Sequence, residues 1–325
     1  MSLLRELVEE IGLSAAEVQR IIVTAPARYK VYDIPKRDGV GWRTIAQPSR
    51  ELKAIQNYVL HKKLNRYPVH PNSMAYALGR NIRQNAQRHA QSRCILKLDF
   101  EQFFPSIKVS DWERFAKRAL NTEIQQNDIR LYSQIMFWGQ VKRSYTPRCL
   151  SIGAPTSPAL SNILLYDLDV ALSTEADRYG VVYTRYADDI TISGPTVDAL
   201  VAFEKITRRI VKLLKYPKLT FNEEKRGMFR KGQRRLVTGL VITPIGDISV
   251  GRQRKRLISS MLHRSSKELL DQVQRSRLKG LLGFCVANES NFLGRMRQKY
   301  GDKVIDSALQ FHAPKRSELA QVAAD

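Results

Sequence analysis

The sequence of 325 residues predicts an α+β body in which an antiparallel sheet is backed by helices and followed by a cationic helical region. Three observations predict it. Tyr186-Ala187-Asp188-Asp189 sits between two short runs rich in Val, Ile, Thr and Tyr, residues 181–185 and 190–194, which is strand composition broken at a turn. A second strand-like run, Ile95-Leu96-Lys97-Leu98-Asp99-Phe100, also carries an acid at its end. Beyond residue 250, Leu257, Met261, Leu269, Leu270, Val273, Leu278, Leu281 and Leu282 give helices an apolar side among many lysines and arginines.

Taken from the N-terminus, residues 41–53 read as a strand bearing Arg43 and a helix capped by Ser49. Arginine matches phosphate geometry with several donors, whereas Arg50 and Lys53 on the helix are equally read as solvated. The acid closing the 95–99 run is costly in a buried strand unless something pairs with it. If that strand lies beside the 181–194 hairpin, Asp99 and Asp188 converge on one site with Asp189 near its rim. Carboxylates so close repel one another, and a divalent cation between them resolves the repulsion. Asp-Asp by itself is equally an ordinary turn. Mg²⁺ suits such a site because it takes oxygen ligands and shares its shell with substrate phosphates, and a pair of ions serves polymerases and nucleases alike. The stretch from Asp111 to Gln140 reads as a helical insertion. After the Gly153-Ala154-Pro155 loop, Ser157 is a good N-cap and Pro158 a good first residue for a helix burying Ile163, Leu164, Leu168 and Leu172. Lys225 closes Phe221-Asn222-Glu223-Glu224-Lys225 and is, taken alone, a surface lysine in a charged turn as readily as a functional one.

Composition points to a polyanionic partner. The chain carries 54 Lys plus Arg against 31 Asp plus Glu, a formal charge of +23 and a pI near 10.1. Nucleic acid ranks above lipid, because no run of about eighteen apolar residues occurs and the opening Met1-Ser2-Leu3-Leu4-Arg5-Glu6-Leu7 lacks a secretory pattern. No membrane partner is expected. Cys94, Cys149 and Cys285 have neither metal-ligand nor disulfide spacing, so a reduced, cytoplasmic setting is the default. The basic excess is densest late, at Arg226, Arg230, Lys231, Arg234 and Arg235 and again at Arg252, Arg254, Lys255 and Arg256. A small helical bundle with a cationic face is the natural reading of residues 250–325.

The motifs, in this order, resemble those of reverse transcriptases. Tyr186-Ala187-Asp188-Asp189 looks like the family signature, and Asp99 followed five residues on by Phe104 looks like its first catalytic motif. The resemblance implies that Asp99, Asp188 and Asp189, with the backbone carbonyl of Phe100, hold two Mg²⁺ ions, for which Mn²⁺ can substitute. It makes Phe104 the bulky residue beneath the incoming sugar that rejects a ribose 2′-hydroxyl, where the residue alone reads as a core phenylalanine beside Phe103. Residues 153–162 resemble the next motif, in which Gly153 lets backbone approach the nucleotide. Ile152 stands where the family usually has glutamine, which puts the template or nucleotide contact there in doubt. Lys225 becomes the general acid for the leaving pyrophosphate, and Arg43 the contact to the triphosphate.

Two further strings resemble the retron branch: Asn85-Ala86-Gln87-Arg88-His89 ahead of the first catalytic strand, and Val237-Thr238-Gly239 after Lys225. Tyr29-Lys30-Val31-Tyr32 fits the same picture. The implied fold is a right-hand polymerase, with N-terminal helices and fingers over residues 1–94, a palm with an antiparallel sheet over 95–245, a fingers insertion at about 111–150, and a helical thumb over 246–325. The implied activity is RNA-directed DNA synthesis from deoxynucleotide triphosphates in the bacterial cytoplasm. The enzyme would copy part of a cognate structured non-coding RNA, primed by a guanosine 2′-hydroxyl of that RNA, and keep the branched RNA-DNA product. Host RNase H would remove template, and an effector protein encoded nearby would share an antiphage role. Asn85, His89, Val237, Thr238, Gly239, Arg252, Arg254, Lys255 and Arg256 are the implied RNA-binding residues. Three other readings stand beside this one. A reverse transcriptase of the group II intron or abortive-infection lineage does not require both retron strings. A non-catalytic RNA-binding scaffold does not require Asp99, Asp188, Asp189 and Lys225, and a metal-dependent nuclease has no use for Phe104 and the Gly-Ala-Pro loop.

Overall fold

The computed structural model describes residues 3–36, 39, 41–119 and 128–312. They cluster into two compact units, one of Met1–Asn81 with Ser92–Arg230, the other of Ile82–Gln91 with Lys231–Asp325.

The first unit opens with α1 (Leu3–Ile11) and α2 (Ala15–Thr24), then the hairpin β1 (Tyr29–Pro35) and β2 (Trp42–Pro48), then α3 (Arg50–Lys62). Leu3, Leu7, Val18, Ile21 and Ile22 are buried and join Ile55 and Val59 of α3 in one core. Ser49 caps α3 as the spacing predicts, its hydroxyl accepting from the Leu52 N–H at 3.4 Å. The β1–β2 pair forms a sheet of its own, with Tyr29 opposite Pro48 and Pro35 opposite Trp42. The chain leaves this unit for α4 (Ile82–Arg88) and returns as β3 (Cys94–Asp99).

Beyond β3 come the short α5 (Phe103–Ser106), α6 (Val109–Ala119) and α7 (Ile129–Met136). The predicted helical insertion falls on α6 and α7, with residues 120–127 outside the described ones, and α7 packs against α2 and α3. Next are α8 (Thr156–Leu164), α9 (Tyr166–Arg178), β4 (Val182–Tyr186), β5 (Asp189–Gly194), α10 (Val197–Leu213) and β6 (Gly227–Arg230). The sheet runs β4-β5-β3-β6 with every pair antiparallel. Strand β3 is internal, and Ile95, Leu96 and Leu98 are all buried, so it is apolar on both faces rather than alternating. Helix α9 packs on β4, and α10 packs on β3 and β5.

The helix predicted from Ser157 onward differs in two ways. It begins at Thr156 with Pro155 in the cap position, and it breaks at Leu165, so the apolar positions divide between α8 and α9. Ser157 is itself helical and buried, its hydroxyl without a hydrogen-bond partner. Packing rather than local capping chemistry sets this start.

The second unit holds α4, the sheet β7 (Arg235–Val237), β8 (Leu240–Ile242) and β9 (Ile248–Ser249), and α11 (Arg252–Ser265), α12 (Gln272–Asn288), α13 (Ser290–Tyr300) and α14 (Asp302–Gln310). Ile258, Met261, Leu262, Leu278, Leu282, Cys285, Phe292 and Ile305 are buried there, whereas Leu269 and Val273, expected on the apolar side, are exposed. The expected palm–thumb division at residue 245 is drawn differently by the packing. Residues 231–245 cluster with the C-terminal helices because β7, β8 and β9 form one sheet, and residues 82–91 join them because α4 packs on all three strands.

Candidate polymerase active site

Strand register brings the acids together. Asp99 is the last residue of β3 and stands directly opposite Asp189, the first of β5, while the Phe100 N–H donates to the Asp188 carbonyl at 3.1 Å. Asp188 lies in the two-residue turn between β4 and β5, whose first residue, Ala187, has φ 58°. Two-residue hairpin turns need such positive φ to match the twist of their strands, and glycine or asparagine usually supplies it. The sequence places alanine there and the surroundings hold it.

The three carboxylates press on one another. Burial, then the Asp99 charge, pushes the Asp188 pKa up. Burial, then repulsion from Asp188 and Asp99 against the opposing pull of Lys97, raises Asp189 to about 6. A cation already answers this field: Lys225 Nζ donates to both carboxylate oxygens of Asp99, at 2.9 and 3.0 Å. Burial pulls the lysine pKa down, and the Asp99 hydrogen bond together with the charges of Asp99, Asp188 and Asp189 carries it above the ordinary value, so the ammonium is stabilised. The turn carrying Lys225 is clamped to α10, because Arg208 pairs with Glu223, and Arg226 with Glu204. Phe221, just before it, stacks on Phe100 with ring centroids 4.9 Å apart.

Asp99, Asp188 and Lys225 line a cleft of about 550 Å³ with Lys36, Trp42, Arg43, Tyr76, Phe104 and Ile152 on its walls. That size accommodates a nucleotide-class ligand. Both adjacent phenylalanines border the cleft: Phe103 is buried and stacks on Phe100, while Phe104 is half-buried, its ring in a T-shaped contact with Phe103 at 5.2 Å. Arg43 sits on β2, and its charge helps to stabilise ionised Asp188. Gly153 packs closely on β2. Its φ of +130° and the 2.9 Å from a built Cβ to the Ala46 carbonyl show that its missing side chain admits the backbone of β2. The neighbouring Ile152 carbonyl accepts from the Ala46 N–H at 2.9 Å, so this loop holds the strand that carries Arg43. Gly153→Ala is expected to destabilise the fold by about 1–3 kcal/mol, because it adds a clash to a strained backbone; chemical denaturation checks this.

Tyr76 is a cleft residue that sequence reasoning missed. It has φ 58°, is half-exposed, and its ring lies 6.4 Å from that of Phe104. No periodicity marks it, and a left-handed tyrosine carries no composition signal.

In the second unit the two retron-like strings meet. Asn85 lies on α4 and His89 just beyond its end, both fully buried, and burial pulls the His89 pKa down to about 3, leaving a neutral ring. Val237 is buried at the end of β7, and Thr238 and Gly239 form the β7–β8 turn with φ 46° and 80°. The Thr238 hydroxyl donates to the Ile82 carbonyl at 3.0 Å, tying that turn to α4. The expected RNA contact thus gives way, for Asn85, His89 and Val237, to packing inside the unit. Of the four basic residues opening α11, Arg252 and Arg256 are exposed, whereas Arg254 stacks over Phe284 at 4.4 Å and Lys255 pairs with Glu289.

The donor set fits hard divalent cations. Its side-chain donors are carboxylate oxygens, ionisation is resisted until positive charge arrives, and a lysine ammonium already occupies one carboxylate. Among the described residues no three His, Cys, Asp or Glu side chains form a ready-made metal cage. Folded Asp189 keeps its proton to a higher pH than the unfolded chain does, so its contribution to stability is full below the ordinary value of 3.8 and is lost as pH rises through about 6. Mg²⁺ is therefore expected to raise the melting temperature more at pH ~7.5 than at pH ~5.5, with the difference reduced in Asp189→Asn, as read by thermal melts.

Carboxylates that gather cations beside a nucleotide-sized cleft, on an antiparallel sheet backed by helices, define a polymerase palm, and the fold is that of the right-hand polymerases. The chain belongs to the reverse transcriptase family: the family described as reverse transcriptase (RNA-dependent DNA polymerase) matches residues 34–286. Within it the chain is of the retron type, an RNA-directed DNA polymerase by family. It is 34% identical to the retron Ec83 reverse transcriptase of Escherichia coli, over 90% of this chain and 93% of that one. Identity to the retron Ec86 reverse transcriptase of Escherichia coli is 28%, over 95% and 93%. Identity to the retron Mx65 reverse transcriptase of Myxococcus xanthus is 31%, over 84% and 65%. Among solved structures, a telomerase from Candida albicans in complex with a fragment of telomeric RNA superposes with a TM-score of 0.51 at 13% identity, over 82% of this chain and 56% of that one, a likeness of fold.

Proposed function

We propose that this chain copies part of a cognate structured non-coding RNA into DNA, primed from a guanosine 2′-hydroxyl of that RNA, and retains the branched product. The observation that supports it most is the convergence of Asp99, Asp188 and Lys225 in one nucleotide-sized cleft of a retron-type chain, with Asp189 directly opposite Asp99 in the sheet. Asp99, Asp188 and Asp189, with the Phe100 carbonyl, would hold two Mg²⁺ ions. When bound, these supply a deprotonated primer hydroxyl and charge neutralisation at the triphosphate. Lys225, whose pKa stands above the ordinary lysine value, keeps its proton at neutral pH and can give it to the departing pyrophosphate. Arg43 orients the triphosphate, and Phe104 with Tyr76 walls the sugar and base. Nucleotide positioning accounts for most of the catalysis, because little covalent chemistry falls to the protein.

The first unit is read as fingers and palm and the second as thumb. Exposed Arg252 and Arg256 suit the phosphates and shape of A-form RNA, which offers few readable base edges. Asn85, His89, Val237, Thr238 and Gly239 act by shaping that surface. Among the described residues no helix is long and apolar enough to cross a membrane; the enzyme is read as cytoplasmic from the family it belongs to. An antiphage role with a neighbouring effector, and trimming of template by host RNase H, complete the reading.

Expression with the flanking DNA is expected to yield a short single-stranded DNA whose mobility shifts after RNase or debranching treatment. If the purified protein instead extends only a DNA primer on RNA, the polymerase stands and the 2′-hydroxyl priming fails.

A further inference from the structure

Arg185 is fully buried two residues before the turn that presents Asp188. Its Nε donates to Asp169 Oδ1 at 2.9 Å and its Nη2 to Asp169 Oδ2 at 2.6 Å, a two-pronged pair in which neither side chain is exposed. A charge pair alone would need no more, and a lysine could make one. The guanidinium has donors left over, and they are spent on the site. Nη1 donates to the Ala187 carbonyl at 3.2 Å, inside the turn, and Nη2 also reaches Ser73 Oγ at 3.1 Å and Asn162 Oδ1 at 3.2 Å. Asn162 in turn donates to the Ala75 carbonyl at 2.9 Å, and the Met74 N–H donates to the Arg185 carbonyl at 2.7 Å.

Two left-handed residues therefore depend on one side chain. Ala187 and Tyr76 both have φ 58°, and neither is the glycine that this conformation favours. Such conformations persist where the surroundings over-determine them. Ala187 is buried, so water does not replace Arg185 at its carbonyl, and the next carbonyl, of Asp188, is already held by the Phe100 N–H. Both faces of the turn are thereby fixed, and the cleft wall bearing Tyr76 is fixed from the same point.

We propose that Arg185 is a positioning residue: it sets the Asp188 turn for cation binding and aligns the loop of Tyr76 with it, beyond its part in a buried ion pair. This rests on the polymerase reading for its kinetic arm and on the protein alone for its metal arm. The test is Arg185→Lys, which keeps a cation for Asp169 and loses the fork. With Mn²⁺ alone as probe, the concentration giving half of the cation-induced melting shift is expected to rise about tenfold, the usual scale for losing an outer support of a metal ligand. On an RNA template with a DNA primer, kcat is expected to fall about 100-fold with the nucleotide KM changed far less, as for a misplaced reacting group. A folded Arg185→Lys protein with an unmoved Mn²⁺ midpoint, or a kcat loss that only tracks the folded fraction, overturns the proposal. If that variant does not fold, Asn162→Ala, which leaves the Asp169 pair intact, decides by the same two readouts: a raised midpoint supports the proposal and an unmoved one overturns it. Should wild-type protein make no DNA on RNA, the polymerase reading fails, while the Mn²⁺ titration still decides the role of Arg185.

Discussion

Asp188→Asn is expected to lower DNA synthesis by about 10³-fold or more, the scale of several kcal/mol of lost charge stabilisation, while RNA affinity is unchanged. The structure adds a second half to this result. Asp188 and Asp189 are both held above the ordinary carboxylate range by burial and by their acidic neighbours. Removing one charge relieves that repulsion, so the metal-free variant is expected to melt no lower than wild type, and higher at neutral pH. Thermal melts beside primer-extension assays check the pairing. Lost activity accompanied by lost stability would mean that Asp188 serves the fold, and an active variant would remove the carboxylate mechanism altogether.

Phe104→Ala is expected to reduce discrimination against ribonucleotides by between about 10- and 200-fold, the range over which an apolar pocket separates substrates of slightly different size. Competing deoxy- and ribonucleotide incorporation on one template measures it. Phe104 is the right residue to test because it is only half-buried against the core and lines the cleft beside Tyr76. Phe103→Ala is the contrasting variant. Its ring is buried against Phe100, so truncation is expected to cost about 3–5 kcal/mol of stability and leave sugar selectivity in the surviving fold unaltered. Equal selectivity in both variants would sink the sugar-gate reading.

Local chemistry made much of the site legible in the sequence. The strand-rich flanks of Asp188 and the apolar run ending at Asp99 mark the strands, their adjacency being a condition the sequence leaves open, and the structure meets it with Asp99 opposite Asp189 in register. Ser49 caps α3 because a cap is decided within four residues. What was not legible depends on distant chain. Ser157 has the chemistry of a cap and loses the position to packing, and Gly153 is hemmed in by the carbonyl of Ala46, more than a hundred residues away in the chain. Tyr76 enters the cleft through a left-handed conformation fixed from Arg185 and Asn162, partners far away in the chain. Asn85 and His89 read as RNA contacts through the resemblance of their string to that of retron enzymes; only the structure shows that their side chains are enclosed.

The C-terminal unit is assembled from two stretches of chain, the ten residues of Ile82–Gln91 and everything from Lys231 onward. Thr238 bonds to Ile82 across that gap in sequence, and Arg83 to the Asn288 carbonyl. A gene segment encoding the tail alone is thus an incomplete hereditary unit. Transferred into a relative by a single crossover, it would meet a foreign partner helix at both bonds. On the reading of this unit as the RNA-binding thumb, its RNA preference can move between lineages intact only when two distant stretches of the gene travel together, so its ancestry should be traced through both.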